Sequence, residues 1–424
     1  MYNLCIFEDT KYKNFLPLTF LRPVYELHCG LDTLLGKIIR YIPHNNVILH
    51  CRSYLKKQLK NTHHNALINN FTTAGSCLFV NGRLITNPTI LDNIELSKDK
   101  DYIYINSQEE IVFAQLSGDN LAKMKKLLES GPINLGEIYQ TFRLKATTKK
   151  IKASLTNYPL DLISRQKKEL NSDFSSAVKG GIIKGLIHPQ TYIKQEDQVF
   201  IDKNAEIDAF TVLDASEGAI YISPNAYIAP HSYLKGPIFI GNNSQVLGGK
   251  IDNSSIGPHC KVSGEISNTI ILGYTNKAHA GFLGNMYIGE WVNFGALSCN
   301  SNLKNNYKQV KIILDGCEIQ TNETFFGGIV ADHTKIGIGV LLNTGIIIGV
   351  GNNIFGGNMI FKKYIPSFIW GMEPSFSEHK IDKMLNTSKI MLSRRKIKMD
   401  DDYKDLLQKI FKLTENERYH FLKD

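Results

Sequence analysis

One histidine stands among polar side chains where a regular repeat in the sequence is interrupted. The interrupting segments are 273–284, 288–296 and 300–307. Their polar side chains are those of Lys277, His279, Asn293, Asn302, Lys304 and Tyr307. A histidine accepts a proton near neutral pH, so His279 is the candidate general base of this polar set. Taken alone, a histidine in such a loop is more often structural, so that alternative stays open.

The repeat that carries these segments has a period of six residues. The longest runs of large aliphatic residues at this step are Ile222, Ile228, Leu234, Ile240, Val246 and Ile336, Leu342, Ile348, Ile354, Ile360. Neither a helix nor a plain strand sustains a period of six with Gly, Asn or Pro between the apolar residues. A short strand and a tight turn take six residues, three such units close a triangular coil, and coils must stack to bury their apolar faces. The pattern predicts a parallel β-helix, with an all-β sandwich as the less favoured alternative.

The sequence before the repeat has a different pattern. Apolar runs at 77–80 and 102–105 and a helix-like stretch at 121–128 indicate an α/β domain. A basic stretch, 143–168, ends near Gly180 and Gly181, which we interpret as a linker. Its charges form either a solvated face or an anion site.

The sequence after the repeat predicts two amphipathic helices. Ser375 and Glu378 have the spacing of a capping box that opens a helix. Apolar residues at helical spacing then follow the acidic run 400–402; they are Tyr403, Leu406, Leu407, Ile410 and Phe411. We interpret both helices as packing on a neighbouring surface. The predicted domains are therefore 1–180, the α/β domain; 181–365, the β-helix; and 366–424, a helical extension.

Composition limits the classes of function. With 424 residues, 43% hydrophobic and 21% charged, the chain is globular, which excludes a disordered, collagen-like or disulfide-stapled protein. A net charge of +9 favours anionic small molecules and is too small for nucleic acid unless clustered. Seven scattered cysteines without C-x-x-C spacing indicate free thiols. With no signal-peptide pattern and no apolar run of membrane-spanning length, we expect a cytoplasmic protein that binds neither membranes nor nucleic acid.

The segments around His279 resemble one protein family. Segments 276–296 and 301–307 are similar to the bacterial GlmU-like bifunctional proteins, in the variant form common in Bacteroidetes. These are UDP-N-acetylglucosamine diphosphorylase/glucosamine-1-phosphate N-acetyltransferases. Further similar segments are 16–30, 332–337, 343–350 and 365–371. The resemblance implies an α/β nucleotidyltransferase-like domain, a left-handed parallel β-helix of hexapeptide repeats and a short C-terminal helical tail. It also implies a homotrimer with acetyl-CoA bound along the coils.

The resemblance assigns roles around His279. In the family a His-x-x-Tyr-Leu-Gly motif supplies the general base, and here residues 279–284 match it with Phe282 in place of the tyrosine. This implies that His279 takes the proton of the sugar amine as the amine attacks the thioester, with Asn293 orienting the amine. The backbone N–H near Ala296 would stabilise the oxyanion. The remaining residues expected at the sugar-phosphate or CoA site are Lys277, Phe282, Asn302, Lys304 and Tyr307.

The nucleotidyltransferase half is implied by fewer residues. Such chemistry needs backbone amides around the phosphates, a cation and carboxylates for Mg²⁺. The Gly-rich loop of the better-known members is missing, and the variant motif Pro-Leu-Thr-Phe-x-Arg-Pro stands at 17–23 instead. The expected nucleotide-binding residues are Arg22, Lys37, Asn81 and Arg83. Because an asparagine stands where those members have a metal-binding aspartate, the predicted Mg²⁺ ligands are Asp161 and Asp173.

Two other functions fit parts of the sequence. One is a non-catalytic or single-activity trimer that binds a nucleotide sugar through a degenerate first domain, which Asn81 and Phe282 favour. The other is a metalloenzyme like the γ-class carbonic anhydrases, which use three histidines, two of them five residues apart. No two of the twelve histidines here have that spacing, so we reject this reading.

Overall fold

The chain folds into two compact units. A computed structural model describes residues 2–71, 75–92, 94–96, 100–143, 145–178, 180–314 and 316–423. By their contacts, one unit comprises Met1–Leu27 and Asp32–Tyr158, and the other His28–Leu31 and Pro159–Asp424. The contact-based division therefore falls after Tyr158, whereas we predicted a boundary at 180.

A mixed seven-stranded sheet forms the centre of the first unit. Across the sheet its strands are Thr147–Lys150, Tyr102–Ile105, Ile111–Leu116, Cys77–Asn81, Tyr2–Phe7, His44–Leu49 and Ala66–Ile68. All neighbouring strands are parallel except Ile111–Leu116, which is antiparallel to both of its partners. The apolar runs at 77–80 and 102–105 are fully buried strands, as predicted. Shorter strands of this unit are Asp32–Thr33, Leu84–Ile85 and Ser154–Leu155.

Four α-helices accompany this sheet in the described residues. They are α1 (Leu34–Tyr41), α2 (Lys56–Thr62), α3 (Gly118–Glu129) and α4 (Leu135–Phe142). Single 3-10 turns lie at Thr10–Phe15, Val24–Glu26 and Ser53–Leu55. Helix α3 contains the predicted stretch 121–128, and its Leu121, Met124 and Leu128 are buried against the sheet at helical spacing. The predicted α/β domain is confirmed.

The second unit opens with a long helix in the basic region. Helix α5 (Pro159–Ala177) buries Leu162, Ile163 and Phe174 along one side. The basic stretch is therefore not a linker but strand Thr147–Lys150 and most of this amphipathic helix, whose lysines face solvent. Gly180 and Gly181 lead directly into the first coil strand.

Stacked triangular coils make up most of the second unit, and the predicted β-helix is confirmed. Strands of successive coils pair in parallel, for example Ile336 with Ile354, one coil of 18 residues later. Every aliphatic residue of the two six-residue runs lies in one continuous buried core. The coil strands are Ile182–Ile183, Leu186–Ile187, Tyr192–Lys194, Val199–Ile201, Glu206–Ile207, Val212–Asp214, Ile220–Ile222, Tyr227–Ile228, Ser232–Ile240, Gln245–Ile256, Lys261–Ser267, Ile270–Gly273, Asn276–Lys277, Phe282–Gly284, Met286–Glu290, Asn293–Phe294, Cys299–Asn300, Gly328–Val330, Lys335–Ile336, Leu341–Leu342, Ile346–Ile348, Asn353–Ile354, Met359–Ile360, Tyr364–Ile365 and Ile369–Met372.

One corner of the coils carries a ladder of aromatic residues. His259, Tyr274, Trp291 and His333 all have left-handed φ angles, of 57°, 52°, 61° and 59°. Bulky residues rarely adopt this conformation. Here the rings of consecutive members stack almost parallel, with centroids 4.8, 4.3 and 6.3 Å apart. Aromatic stacking offsets part of the backbone cost of each corner.

A long insertion leaves the coils after Asn300. It carries an antiparallel hairpin of Lys311–Leu314 and Cys317–Gln320 before the next coil strand begins at Gly328. The predicted break at 300–307 is the first part of this insertion.

The tail differs from the prediction at its start. Ser375–Glu378 is a strand, antiparallel to Ile369–Met372, so the capping-box prediction is wrong. The open edge of the last coil supplies backbone partners, which outweigh a local capping pattern. Three helices follow: α6 (Ile381–Ser393), α7 (Asp401–Leu413) and α8 (Glu415–Lys423). The second predicted helix is confirmed as α7, where Asp400 accepts a hydrogen bond from Tyr403 N at 2.7 Å. None of the described helices combines the length and apolar character needed to cross a membrane.

Candidate functional sites

His279 lies in an exposed turn that a buried lysine holds in place. The turn joins strands Asn276–Lys277 and Phe282–Gly284. Lys277 is fully buried, and its Nζ donates to the carbonyl oxygens of His279 (2.5 Å) and Ala280 (3.1 Å). Burial lowers the pKa of this ammonium group, and the nearby Cys299 partly opposes the shift. Lys277 therefore fixes the backbone beside His279 instead of reaching toward a substrate.

The next coil brings Ala296 beside this turn. Leu297 N donates to Ala280 O at 2.8 Å, and Ala296 O accepts from Gly339 N of the following coil at 2.9 Å. The structure thus brings together His279, Lys277 and Ala296 as predicted neighbours on stacked coils.

Phe282 and a buried asparagine shape the second half of the motif. The Phe282 ring packs on Gly284, where a Cβ atom would lie 2.4 Å from the ring, so a larger residue would require the ring to move. Asn300 is buried; it accepts from Gly284 N at 2.8 Å and donates to Gly284 O at 3.0 Å. Sequence reasoning missed Asn300, although its position one coil after Gly284 was a usable signal. Asn302, which was predicted, donates to Asn285 Oδ1 at 2.8 Å.

The structure does not place Asn293 with His279. Asn293 lines a separate cavity of about 190 Å³, whose wall does not include His279. Its strand partner Asn276 lies on the same wall. The predicted amine-orienting role of Asn293 therefore has no geometric support within one chain.

Lys304 and Tyr307 lie on the insertion. Lys304 Nζ donates to Gln309 O at 2.8 Å, and Tyr307 is 73% exposed. A second cation that sequence reasoning missed, Lys363, lies near Lys304. Burial lowers the pKa of Lys363, and the charge of Lys304 adds to the shift.

In the first unit, polar residues gather where parallel strands end. Tyr2–Phe7 lies between His44–Leu49 and Cys77–Asn81, parallel to both. These two neighbours lie on opposite sides of the central strand. At such a point the carboxyl ends of the parallel strands form a crevice that commonly binds ligands. Glu8 and Asp9 follow the central strand directly.

Glu8 forms a buried ion pair with Arg52, which follows the neighbouring strand. Arg52 Nε lies 3.0 Å from Glu8 Oε2, and the guanidinium stacks on Tyr12 and Tyr54 at 4.2 and 5.3 Å from their ring centres. Burial raises the pKa of Glu8, and Arg52 partly offsets the shift. Arg52 also lines a cavity of about 500 Å³ together with Lys56 and the segment 128–132. Sequence reasoning missed this cavity because its residues come from four separate segments.

The four predicted nucleotide-binding side chains lie in the interior. Arg83 is fully buried between Asp9 (2.8 Å) and Glu110 (2.9 Å), and Asn81 donates to Asp9 Oδ2 at 3.0 Å. The other two, Arg22 and Lys37, are 7% and 0% exposed. None of the four lines the 500 Å³ cavity.

The two predicted Mg²⁺ ligands are not brought together. Asp161 and Asp173 lie on α5 in the second unit, twelve residues and about 18 Å apart at the helical rise. Asp173 accepts from Leu31 N at 2.9 Å. They cannot hold one ion jointly, and the described residues contain no group of three or more potential metal ligands. The carboxylates at the strand ends are paired with arginines, so this arrangement does not fit a preformed Mg²⁺ site.

Comparisons with known proteins point to the same family as the motifs. Residues 4–181 match the family model described as sugar nucleotidyl transferase. The bifunctional protein GlmU of Methanococcus vannielii is 29% identical over 152 residues, 35% of this chain and 31% of that protein. The bifunctional sugar-1-phosphate nucleotidylyltransferase/acetyltransferase of Sulfurisphaera tokodaii is 28% identical over 171 residues, 40% of this chain and 38% of that protein. The chain thus spans about a third of the length of these relatives. The predicted resemblance to GlmU-like proteins is confirmed.

The solved structures found by comparison are more distant. The UDP-N-acetylglucosamine O-acyltransferase (LpxA) of Moraxella catarrhalis is 16% identical with a TM-score of 0.26, covering 56% of this chain and 94% of that one. The acetyltransferase domain of PglB from Neisseria gonorrhoeae, in complex with acetyl coenzyme A, is 12% identical with a TM-score of 0.13, covering 66% and 99%. TM-scores this low do not establish a shared fold. The β-helix of this chain is established by its own strand pairings.

Proposed function

We propose that the chain is a sugar-phosphate N-acetyltransferase that moves the acetyl group of acetyl-CoA to the amine of glucosamine 1-phosphate. The observation that carries the proposal is the His279 turn, which Lys277 fixes on one coil beside Ala296 of the next. In the reaction the amine nitrogen forms a bond to the thioester carbon, the carbon–sulfur bond breaks, and CoA leaves as the thiol. His279 accepts the proton that the amine loses and passes it to the leaving CoA sulfur.

A direct assay tests this reaction. Acetyl-CoA and glucosamine 1-phosphate mixed with the full chain release CoA thiol, which a thiol reagent detects. We expect His279→Ala to lose this release. Release at the wild-type rate in that variant would overturn the assignment of the base.

The first unit is proposed to be a linked sugar-1-phosphate nucleotidyltransferase domain that makes UDP-N-acetylglucosamine or a related nucleotide sugar. The match of residues 4–181 to the sugar nucleotidyl transferase model supports this, and we assign the nucleotide to the cavity beside Arg52. We assign no step to Mg²⁺, because the carboxylates at the strand ends are already paired. Pyrophosphate release from UTP and N-acetylglucosamine 1-phosphate tests the activity.

A second candidate function for the first unit is binding without turnover. It is favoured by the buried pairs of Asp9 and Glu8 with arginines, which leave those carboxylates no free position for a metal. Calorimetry that detects UDP-N-acetylglucosamine binding, together with no pyrophosphate release, would support it. We further propose a cytoplasmic homotrimer, and sedimentation of the full chain measures the trimer directly.

A further inference from the structure

A cavity between the coils and helix α6 concentrates positive charge. Its volume is about 190 Å³, which is room for roughly six water molecules. Coil residues form one wall and the end of α6 the other; the lining residues are Tyr274, Asn276, Trp291, Asn293, Lys335, Met391, Arg394 and Arg395. Three of these are cations and none is an acid.

The cations have no carboxylate partner in the described part of the chain. Arg395 Nη2 donates to Asn276 Oδ1 at 3.0 Å, and that neutral amide leaves its charge uncompensated. Lys335 Nζ donates to two backbone carbonyls, Trp291 O at 3.0 Å and His333 O at 2.7 Å. An ammonium group has three donors, so one N–H of Lys335 remains for a ligand. Buried or half-buried charges without a counter-charge are costly, and an anion in the cavity would remove that cost.

We infer that this cavity is a binding site for a phosphate monoester group, held by Lys335 and Arg395 with the Asn276 and Asn293 amides beside it. Guanidinium groups and buried ammonium groups are the side chains that recognise phosphate in proteins. Tyr274 and Trp291 border the cavity on the coil side. The site is separate from the His279 turn, so it does not depend on the proposed acetyl transfer.

Several molecules carry this chemistry, and binding assays distinguish them. Calorimetry of the full chain uses three probes: inorganic phosphate, glucosamine 1-phosphate and adenosine 3′,5′-bisphosphate. Tighter binding of the sugar phosphate would assign the cavity to a sugar substrate. Tighter binding of the bisphosphate would assign it to the phosphorylated end of a nucleotide or coenzyme.

Three variants test whether the cavity is responsible. Arg395→Gln and Lys335→Met each remove one cation, and we expect either to weaken the best probe at least tenfold. Lys389→Gln, an exposed position on α6 outside the cavity, is the matched control and should bind as wild type. Because Lys335→Met is the variant more prone to misfold, Arg395→Gln carries the test if its thermal unfolding is unchanged.

Two results would overturn the inference. One is wild-type binding of every probe by Arg395→Gln and Lys335→Met. The other is a wild-type chain that binds none of the three probes at millimolar concentration. The binding result is independent of His279, since His279→Ala should retain full phosphate affinity even if acetyl transfer is lost or never existed.

Discussion

The ammonium group of Lys277 lies 2.5 Å from the carbonyl oxygen of His279, two residues further along the chain. This contact joins a buried side chain on one coil strand to the backbone of an exposed turn. The backbone at His279 is therefore held from inside the β-helix.

Replacing that lysine should disturb catalysis more than folding. In Lys277→Met the turn loses its two charge-assisted hydrogen bonds, and misplacement of a catalytic group by about 1 Å costs on the order of 100-fold in rate. We expect kcat for acetyl transfer to fall tenfold to about 100-fold. Lys261→Met, on the neighbouring strand one coil earlier and in register with Asn276, is the control and should keep the wild-type rate. Equal values of kcat for acetyl transfer in the two variants would contradict a positioning role for Lys277.

The base itself should show a larger effect. General bases contribute about 100- to 10,000-fold, so His279→Gln should lower kcat by that range while the KM for acetyl-CoA changes little. Both are measured by CoA thiol release in full-chain protein.

Breaking the buried pair in the first unit should cost stability. In Arg52→Met the Glu8 side chain, which is 0% exposed, stays buried without its cationic partner. Removal of one partner of such a buried pair lowers the free energy of unfolding by about 3–5 kcal/mol. The double variant Glu8→Gln/Arg52→Met removes both charges and should recover part of that loss. Denaturant unfolding of the four proteins in this cycle gives the coupling energy; a value near zero would contradict the pairing.

His50 should make the first unit sensitive to acid. Burial lowers its pKa to about 4, against the partial opposition of backbone hydrogen bonds to Leu128 and Gly131. In the unfolded chain His50 binds a proton near pH 6.5, whereas in the folded chain it does so only near pH 4. The stabilisation is therefore fully present above pH 6.5 and decreases as the pH falls from 6.5 to 4. The loss is on the order of 3 kcal/mol at 1.36 kcal/mol per pKa unit. His50→Gln should flatten this dependence in denaturant titrations from pH 4 to 7, and His64→Gln, an exposed position, should not.

Phosphate binding to the α6 cavity should weaken as pH rises. Burial lowers the pKa of Lys335 to about 7. Arg394 and Arg395 stay charged, while His379, whose pKa is lowered first by burial and further by the charge of Lys335, stays neutral. Above pH 7 the ammonium form becomes scarce, so affinity should fall roughly tenfold per pH unit until the arginines alone remain. Calorimetry between pH 7 and 9 measures the slope, which Lys335→Met should abolish.

The β-helix was predictable because its signal is periodic and local. Ile336, Ile348 and Ile354 are core residues because they recur at multiples of six residues, and no distant contact is needed to infer it. The Ser375 prediction failed for the opposite reason. A capping box concerns four residues, whereas the strand at 375–378 depends on the open edge of a coil that the local sequence does not reveal.

The sites were less predictable, because they depend on which coils and strands become neighbours. The Glu8–Arg52 pair joins residues 44 apart, and each of them alone is an ordinary charged residue. Asn293 was assigned beside His279 from a shared motif, but strand alternation and the packing of α6 place it on another cavity. Asp161 and Asp173 were grouped by residue type alone, without the helix that separates them.

The aromatic ladder gives the protein an internal spectroscopic probe. The chain has two tryptophans: Trp291 is buried in the ladder between Tyr274 and His333, and Trp370 is 38% exposed on the last coil. In Trp370→Phe the remaining emission comes from a ring stacked against a histidine. The wavelength and intensity of this emission then report whether adjacent coils remain stacked. Local unfolding in the middle of the β-helix can therefore be followed by fluorescence.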